Sequence, residues 1–327
     1  MARLSPILLT LATGIMLSLQ ARINAFLASD LGNQLGAGAL VFFIGLTTTL
    51  VFTALAPAAR RSVATMWGML RRRELPWHLL ASGPLGIIVI QAQIATVPVI
   101  GVALFAMSFI VGQMSAGTMI DHFGWSLGTR RRLNRLGAAA LLLAVAGVVV
   151  SSAPRLGASG AGIWLACAFV FVAGATVGVQ MAFNGSITAA VGRPEPAGVA
   201  TYALGSLAYL AVLGASSVSD GGASFASYAH IQWWYPALGI IGPAVVLIGA
   251  VLVRRVGVLL FAIGVVAGQL AGSMILDLVW PTASGTPSWL TVLGAVMALV
   301  ALVCLQRWGQ RTEPTLSEPS AAPSAVP

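Results

Sequence analysis

Gln20 and Asn24 stand four residues apart, and so do Gln180 and Asn184. On a helix that spacing stacks two amides on one face, about 6 Å apart along the axis. A second paired pattern joins Gln113 and Asp121 to Gln269 and Asp277, again at equal spacing. Gln91 and Gln93 stand without polar counterparts. All ten lie in or at the ends of apolar runs. Amides in hydrocarbon have two uses: they tie helices together by interhelical hydrogen bonds, or they line a water-filled path. Both readings stay open for the amides. The acids sit at run ends, where a terminating or gate-tethering role fits. The sequence holds no P-loop, metal-ligand cluster, catalytic triad or redox pair. No enzyme, cofactor or metal is expected.

Arg22 is the one arginine inside an apolar run. Two residues from Gln20, it is turned about 200° around the helix and points away from the amide face. Snorkelling to the outer interface is the expected role, with anion binding as the alternative.

The elements that must position these residues follow from composition. Of 327 residues, 58% are apolar and 8% charged, and the mean hydropathy is +0.94. A soluble domain carries about 25% charged residues, so lipid is the main solvent here. Ten apolar segments run at about 5–29, 36–56, 77–97, 100–121, 133–152, 161–188, 197–218, 233–252, 256–277 and 287–305, each near the roughly 20 residues one crossing needs. Cys167 and Cys304 read as small apolar residues and exclude a disulfide scaffold.

All 17 basic residues are arginine, and the net charge is +9. Their placement argues against nucleic acid as a partner. Arg3, Arg60, Arg61, Arg71, Arg72, Arg73, Arg130, Arg131, Arg132, Arg135, Arg193, Arg254, Arg255, Arg307 and Arg311 all fall on one side if the N-terminus is cytoplasmic. Only Arg155 falls outside. Positive residues collect on the cytoplasmic side, so both termini are expected there. The tail 307–327 reads as disordered.

Two stretches recur. GIMLSLQARINAF from Gly14 matches GATVGVQMAFNGS from Gly174 at an offset of 160, and Gly32, Gly38 and Gly45 continue the match to Gly192, Gly198 and Gly205. IGVALFAMSFIVGQMSAGTMID from Ile100 matches VGVLLFAIGVVAGQLAGSMILD from Val256 at an offset of 156. The third and eighth segments share a Gly-Pro pair, Gly83-Pro84 and Gly242-Pro243. Halves of five crossings must enter the membrane from opposite sides, the inverted repeat of secondary transporters. The expected fold is an all-α integral membrane protein, ten transmembrane helices as two inverted five-helix repeats over 1–156 and 157–306. The ridges Gly264/Gly268/Gly272 and Ser108/Gly112/Ala116 read as packing surfaces.

Q-x-x-x-N near the end of the first segment, a short glycine-bearing loop, and G-Q-x(7)-D-H-F-G closing the fourth resemble the YdcZ-type inner-membrane proteins of the drug/metabolite transporter superfamily. Gln20, Asn24, Gly32, Gly112, Gln113, Asp121, His122, Phe123 and Gly124 carry the resemblance, and Gln180, Asn184, Gly192, Gly268, Gln269 and Asp277 repeat it. In the second half Leu278, Val279 and Trp280 replace H-F-G. The resemblance implies a small-molecule exporter of the bacterial inner membrane in a fused ten-helix form and supplies no catalytic residue.

The expected function is therefore alternating-access transport of a small molecule. Gln20, Asn24, Gln91, Gln93, Gln113, Asp121, Gln180, Asn184, Gln269 and Asp277 are the path or gate candidates. The alternative is a non-transport membrane protein, lipid-handling or a sensory scaffold. Oligomeric state, monomer or homodimer, stays open.

Overall fold

In a computed structural model the described residues are 4–123, 134–219, 235–256, 258–282 and 285–311. Arg130, Arg131, Arg132, Trp233, Trp234 and the tail from Thr312 lie outside them. Ten α-helices follow one another, and no strand is found among the described residues. They are α1 (Leu4–Leu31), α2 (Gln34–Leu55), α3 (Pro57–Arg71), α4 (Ser82–Phe123), α5 (Arg135–Ser152), α6 (Leu156–Val191), α7 (Glu195–Ser219), α8 (Pro236–Val256), α9 (Val258–Val279) and α10 (Trp289–Arg311). Among the described residues, eight stretches are long and apolar enough to cross a bilayer.

The third and fourth sequence segments both lie in α4. Its 42 residues would span about 63 Å if straight, twice a bilayer core. Gly101 breaks it, at φ 77° and ψ 167°, a backbone conformation that a side chain makes costly. The contacts show what the break does. Gln180 Nε2 donates to the Ser82 carbonyl at 2.6 Å, and Gln113 Nε2 lies 3.0 Å from Met181 Sδ. Positions 82 and 113 thus meet neighbouring residues of α6, though a straight helix would hold them about 46 Å apart. The chain doubles back at Gly101, giving antiparallel arms over 82–100 and 102–123.

α3 is an element the hydropathy pattern does not reveal. Pro57 opens it, where a missing N–H costs nothing. Ala59, Ser62, Met66 and Leu70 recur every three or four residues and are buried. Met66 and Leu70 join Leu75, Leu79, Ile187, Ala197 and Ala200 in one apolar cluster. Arg60, Arg61, Trp67 and Arg71 stay exposed. The span the sequence treats as a charged connection is an amphipathic helix lying against α6 and α7.

Backbone-to-backbone crossings organise the bundle. α1 pairs with α9, and α4 with α6. A methyl placed on Gly14 would lie 2.0 Å from the Val265 carbonyl oxygen, and one on Gly268 2.0 Å from that of Leu11. A methyl on Gly174 would lie 2.0 Å from the Phe109 oxygen, and one on Gly112 2.0 Å from that of Phe171. Each partner in the first crossing is the offset equivalent of a partner in the second. Gly264 and Gly272 pack on Thr10 and Ile15 of α1, so the small-residue ridge of α9 is a packing surface. α5 and α10 cross where Gly147 and Gly294 face one another. A methyl on Gly147 would lie 2.7 Å from the Gly294 carbonyl oxygen, and one on Gly294 2.3 Å from that of Gly147.

The same contacts correct one sequence alignment. A methyl on Gly83 would meet Leu204, and one on Gly239 would meet Ile44. A methyl on Gly86 would meet Phe42, and one on Gly242 would meet Tyr202. Ile44 and Leu204, like Phe42 and Tyr202, are 160 apart in sequence. Gly83 therefore corresponds to Gly239 and Gly86 to Gly242. Pro84 and Pro243 are not equivalents: Pro84 sits in the first turn of α4, Pro243 inside α8.

Candidate functional site

Two polar groupings form at opposite ends of the bundle. At the first, Asn24 is completely buried, and its Nδ2 donates to Gln93 Oε1 at 2.7 Å. Its own Oδ1 has no hydrogen-bond partner among the described residues. Gln91 Nε2 reaches the Gln34 carbonyl at 3.2 Å and the Tyr209 hydroxyl at 3.1 Å. The Tyr235 hydroxyl donates to the Asp30 carboxylate, tying the start of α8 to the end of α1. At the second, Gln180 holds the Ser82 carbonyl, the Ser82 and Thr201 hydroxyls lie 3.2 Å apart, and Thr201 Oγ1 donates to Asn184 Oδ1 at 3.1 Å.

Gln93 and Thr201 make the two ends unlike. The offset equivalent of Gln93 is Gly249, and that of Thr201 is Val41. Asn24 and Asn184, matched in sequence, therefore find different partners. The ends also differ in closure. A methyl on Gly38 would lie 2.3 Å from the Tyr209 hydroxyl. At the equivalent Gly198, the nearest neighbour is Thr49 Cγ2 at 3.8 Å. Thr49 is the offset equivalent of Tyr209, so a phenol fills one end and a small side chain stands at the other. Gln269 is 7% exposed and Asn24 0%, while Gln113 and Asn184 are half-buried.

Between the ends lies an aromatic cluster that sequence reasoning missed. The Phe42 ring is 5.7 Å from Tyr202 and 5.3 Å from Tyr209. Phe42 presses on Gly205 and Gly86, and Tyr202 on Gly45 and Gly242. Gly45 and Gly205 stand out in the repeat; the rings they accommodate do not. The Gln20 amide lies beside Gly242, just as that of Gln180 lies beside Gly86.

Asp277 is fully buried. Its Oδ1 accepts the Val102 N–H at 2.9 Å, and its Oδ2 accepts the Ala103 N–H at 2.8 Å. These are first-turn donors of the second arm of α4, which has no preceding helical turn to use them. The acid thus tethers α9 to the bend at Gly101. The side chain of Asp121, its sequence counterpart, lies outside the described residues. Gln269 is not beside Asn24: its carbonyl accepts from Ser18 Oγ at 2.6 Å, farther down α1.

Arg22 does not snorkel into water. It is 5% exposed. Its Nη2 donates to the carbonyl oxygens of Trp280 and Pro281 at 2.6 and 3.3 Å. The guanidinium lies 4.8 Å from the Phe26 ring centroid and 5.9 Å from that of Trp280. The segment after α9 folds over it, which the sequence pattern does not foretell.

Residues 5–150 and 165–304 match the family described as "Putative inner membrane exporter, YdcZ". The chain belongs to this family. The unmatched stretch falls at the junction of α5 and α6. Membership and the apolar helices make the protein a multi-pass inner-membrane transporter of the exporter class, in a family that is not one of enzymes. No curated protein matches the chain.

Proposed function

We propose that this YdcZ-family protein is a secondary transporter that exports a small molecule by alternating access, without covalent chemistry. In this reading residues 1–156 and 157–306 are five-crossing halves of opposite orientation, both termini are cytoplasmic, and the two arms of α4 count as two crossings. The observation that carries it is the recurrence of contacts. Gly14 on Val265 and Gly174 on Phe109, or Phe42 on Gly205 and Tyr202 on Gly45, are the same contact made twice with the halves exchanged. Similar halves in opposite orientation can trade conformations, and the trade opens a central site to the other side.

The unequal ends fit one half of such a cycle. With the N-terminus inside, the Asn24–Gln93 and Gln91–Tyr209 end faces outward and is packed shut. The Asn184–Thr201 end faces the cytoplasm and is looser. The solute path then runs past the Phe42–Tyr202–Tyr209 cluster, with Gln20, Asn24, Gln91, Gln93, Gln113, Gln180 and Asn184 as gate or lining side chains, Gln269 behind them, and Asp277 and Asp121 as tethers at the bends.

Flux measurement in proteoliposomes tests the reading. A panel of small organic solutes is loaded inside or outside, and release is followed with and without ion gradients. Saturable flux of at least one solute, lost in empty liposomes, is the expected result. Passive leakage alone across a broad panel would leave a non-transport role.

A further inference from the structure

The geometry points to an oxyanion-binding site at Arg22, on the opposite face of α1 from the amide path. A cavity of about 320 Å³ opens there, lined by Arg22, Phe26, Ser29, Pro98, Trp280 and Thr282 among others. The arginine is one of its lining residues. Its side chain is 95% buried, since 5% is exposed, and its Nη2 is held by two loop carbonyls. Nη1 has no hydrogen-bond partner among the described residues and is not fully buried. Nε is sealed and has no acceptor either. A permanent positive charge with unused donors beside a cavity is poorly satisfied by the protein alone, because buried donors without acceptors are costly.

The candidate counter-charge Asp277 is already engaged. Asp277 acts on Arg22 through space, but both its oxygens take backbone N–H groups of α4. No ion pair between Asp277 and Arg22 is found among the described residues. The positive charge at the cavity is therefore not cancelled by direct contact. An oxyanion fits these donors, since charge-assisted bonds to guanidinium are the strong ones. The walls define the rest of the ligand. The Phe26 and Trp280 rings lie 4.6 Å apart, tilted by 34°, and with Pro98 offer an apolar and aromatic surface. Ser29 and Thr282 complete this part of the lining. The ligand class is a carboxylate or phosphate ester carrying an apolar body. A free organic anion and the headgroup of an anionic lipid share this chemistry.

Calorimetric titration of the full chain, purified in a neutral lipid-free detergent, tests it. Hexanoate and octyl phosphate are compared with hexanamide and octanol. A second arm uses native mass spectrometry after exposure to phosphatidylglycerol or phosphatidylcholine. In at least one arm the wild type should prefer the anionic member about tenfold or more, at one equivalent. Arg22→Gln should abolish the preference. Because that change also releases the Trp280 loop, Ser29→Trp provides an independent block: the position is exposed, so the fold should tolerate it while the cavity fills and Arg22 remains. Preference in the first arm identifies a free anion; preference only in the second identifies a lipid headgroup. Absence of preference in both arms, or a preference surviving in either monodisperse variant, overturns the site.

Discussion

The Asp277 carboxylate accepts the backbone N–H of Val102 at 2.9 Å, from a helix 175 residues away in sequence. With the bond to Ala103 it does for the second arm of α4 what an N-cap does for an ordinary helix. An ordinary cap precedes its helix by one residue; here Gly101 occupies that place and has no side chain to offer. The bend and the acid are thus one structural unit built from both halves of the chain.

Asp277→Ala should leave two buried N–H groups without acceptors, a loss of about 2–5 kcal/mol. Asp277→Asn keeps one acceptor and should lose less, about 1–2 kcal/mol. Thermal unfolding in detergent ranks the three proteins. Equal stability of the alanine variant and wild type would show that the cap is dispensable.

The glycine crossings give a sharper contrast. Gly14→Ala and Gly268→Ala each place a methyl 2.0 Å from a carbonyl oxygen, so backbones must separate, at about 1–3 kcal/mol or more. Gly117 is also helical, but a methyl there meets nothing within 4 Å. Gly117→Ala should be neutral or stabilise by up to about 1 kcal/mol. Monodisperse yield and melting temperature distinguish these outcomes.

Which of these features the sequence could reveal depends on whether they are local. The offsets of 160 and 156 already pair Gly14 with Gly174 and Gly112 with Gly268, because close crossings demand small residues wherever they recur. The Gly-Pro dipeptides misled because a shared two-letter string is weaker than a shared contact, and Gly86 and Gly239 lack a following proline. α3 escaped because its apolar stripe is too narrow to raise hydropathy. Thr201, Ser82 and Tyr209 carried no signal, since helical hydroxyls commonly bond their own backbone and tyrosines pass for interface anchors. The Asn24–Gln93 pair could not be read either, as it depends on how α1 is rotated against α4.

That pair supports a test by double substitution. Asn24→Leu leaves the Gln93 carbonyl without its donor, and Gln93→Leu leaves the Asn24 amide with no partner among the described residues. Each should cost about 0.6–2 kcal/mol. The double variant should be more stable than the sum of the singles predicts, because it removes both polar groups. Strict additivity would mean that the 2.7 Å contact carries no coupling. Flux through the stable double variant then reports whether the amides also serve the path.

Tyr209 and Thr49 offer the most direct handle on the transport cycle. They occupy equivalent places, and only the tyrosine reaches the opposing glycine closely. Thr49→Tyr puts a phenol opposite Gly198, as Tyr209 stands opposite Gly38. If the ends alternate, this change favours closure of the Asn184–Thr201 end and slows return to the present state. Flux should fall about tenfold, which needs only about 1.4 kcal/mol of bias between the states. Tyr209→Thr should bias the same equilibrium in the same direction, loosening the Asn24–Gln93 end and removing the hydroxyl that accepts from Gln91. Labelling of a single cysteine placed at Gly198, where an added Cβ has its nearest neighbour at 3.8 Å, in a background without Cys167 and Cys304, reads the looser end. Thr49→Tyr and Tyr209→Thr should both lower labelling there. If both variants transport normally and neither labelling pattern moves, the difference between the two ends is packing and the gates lie elsewhere.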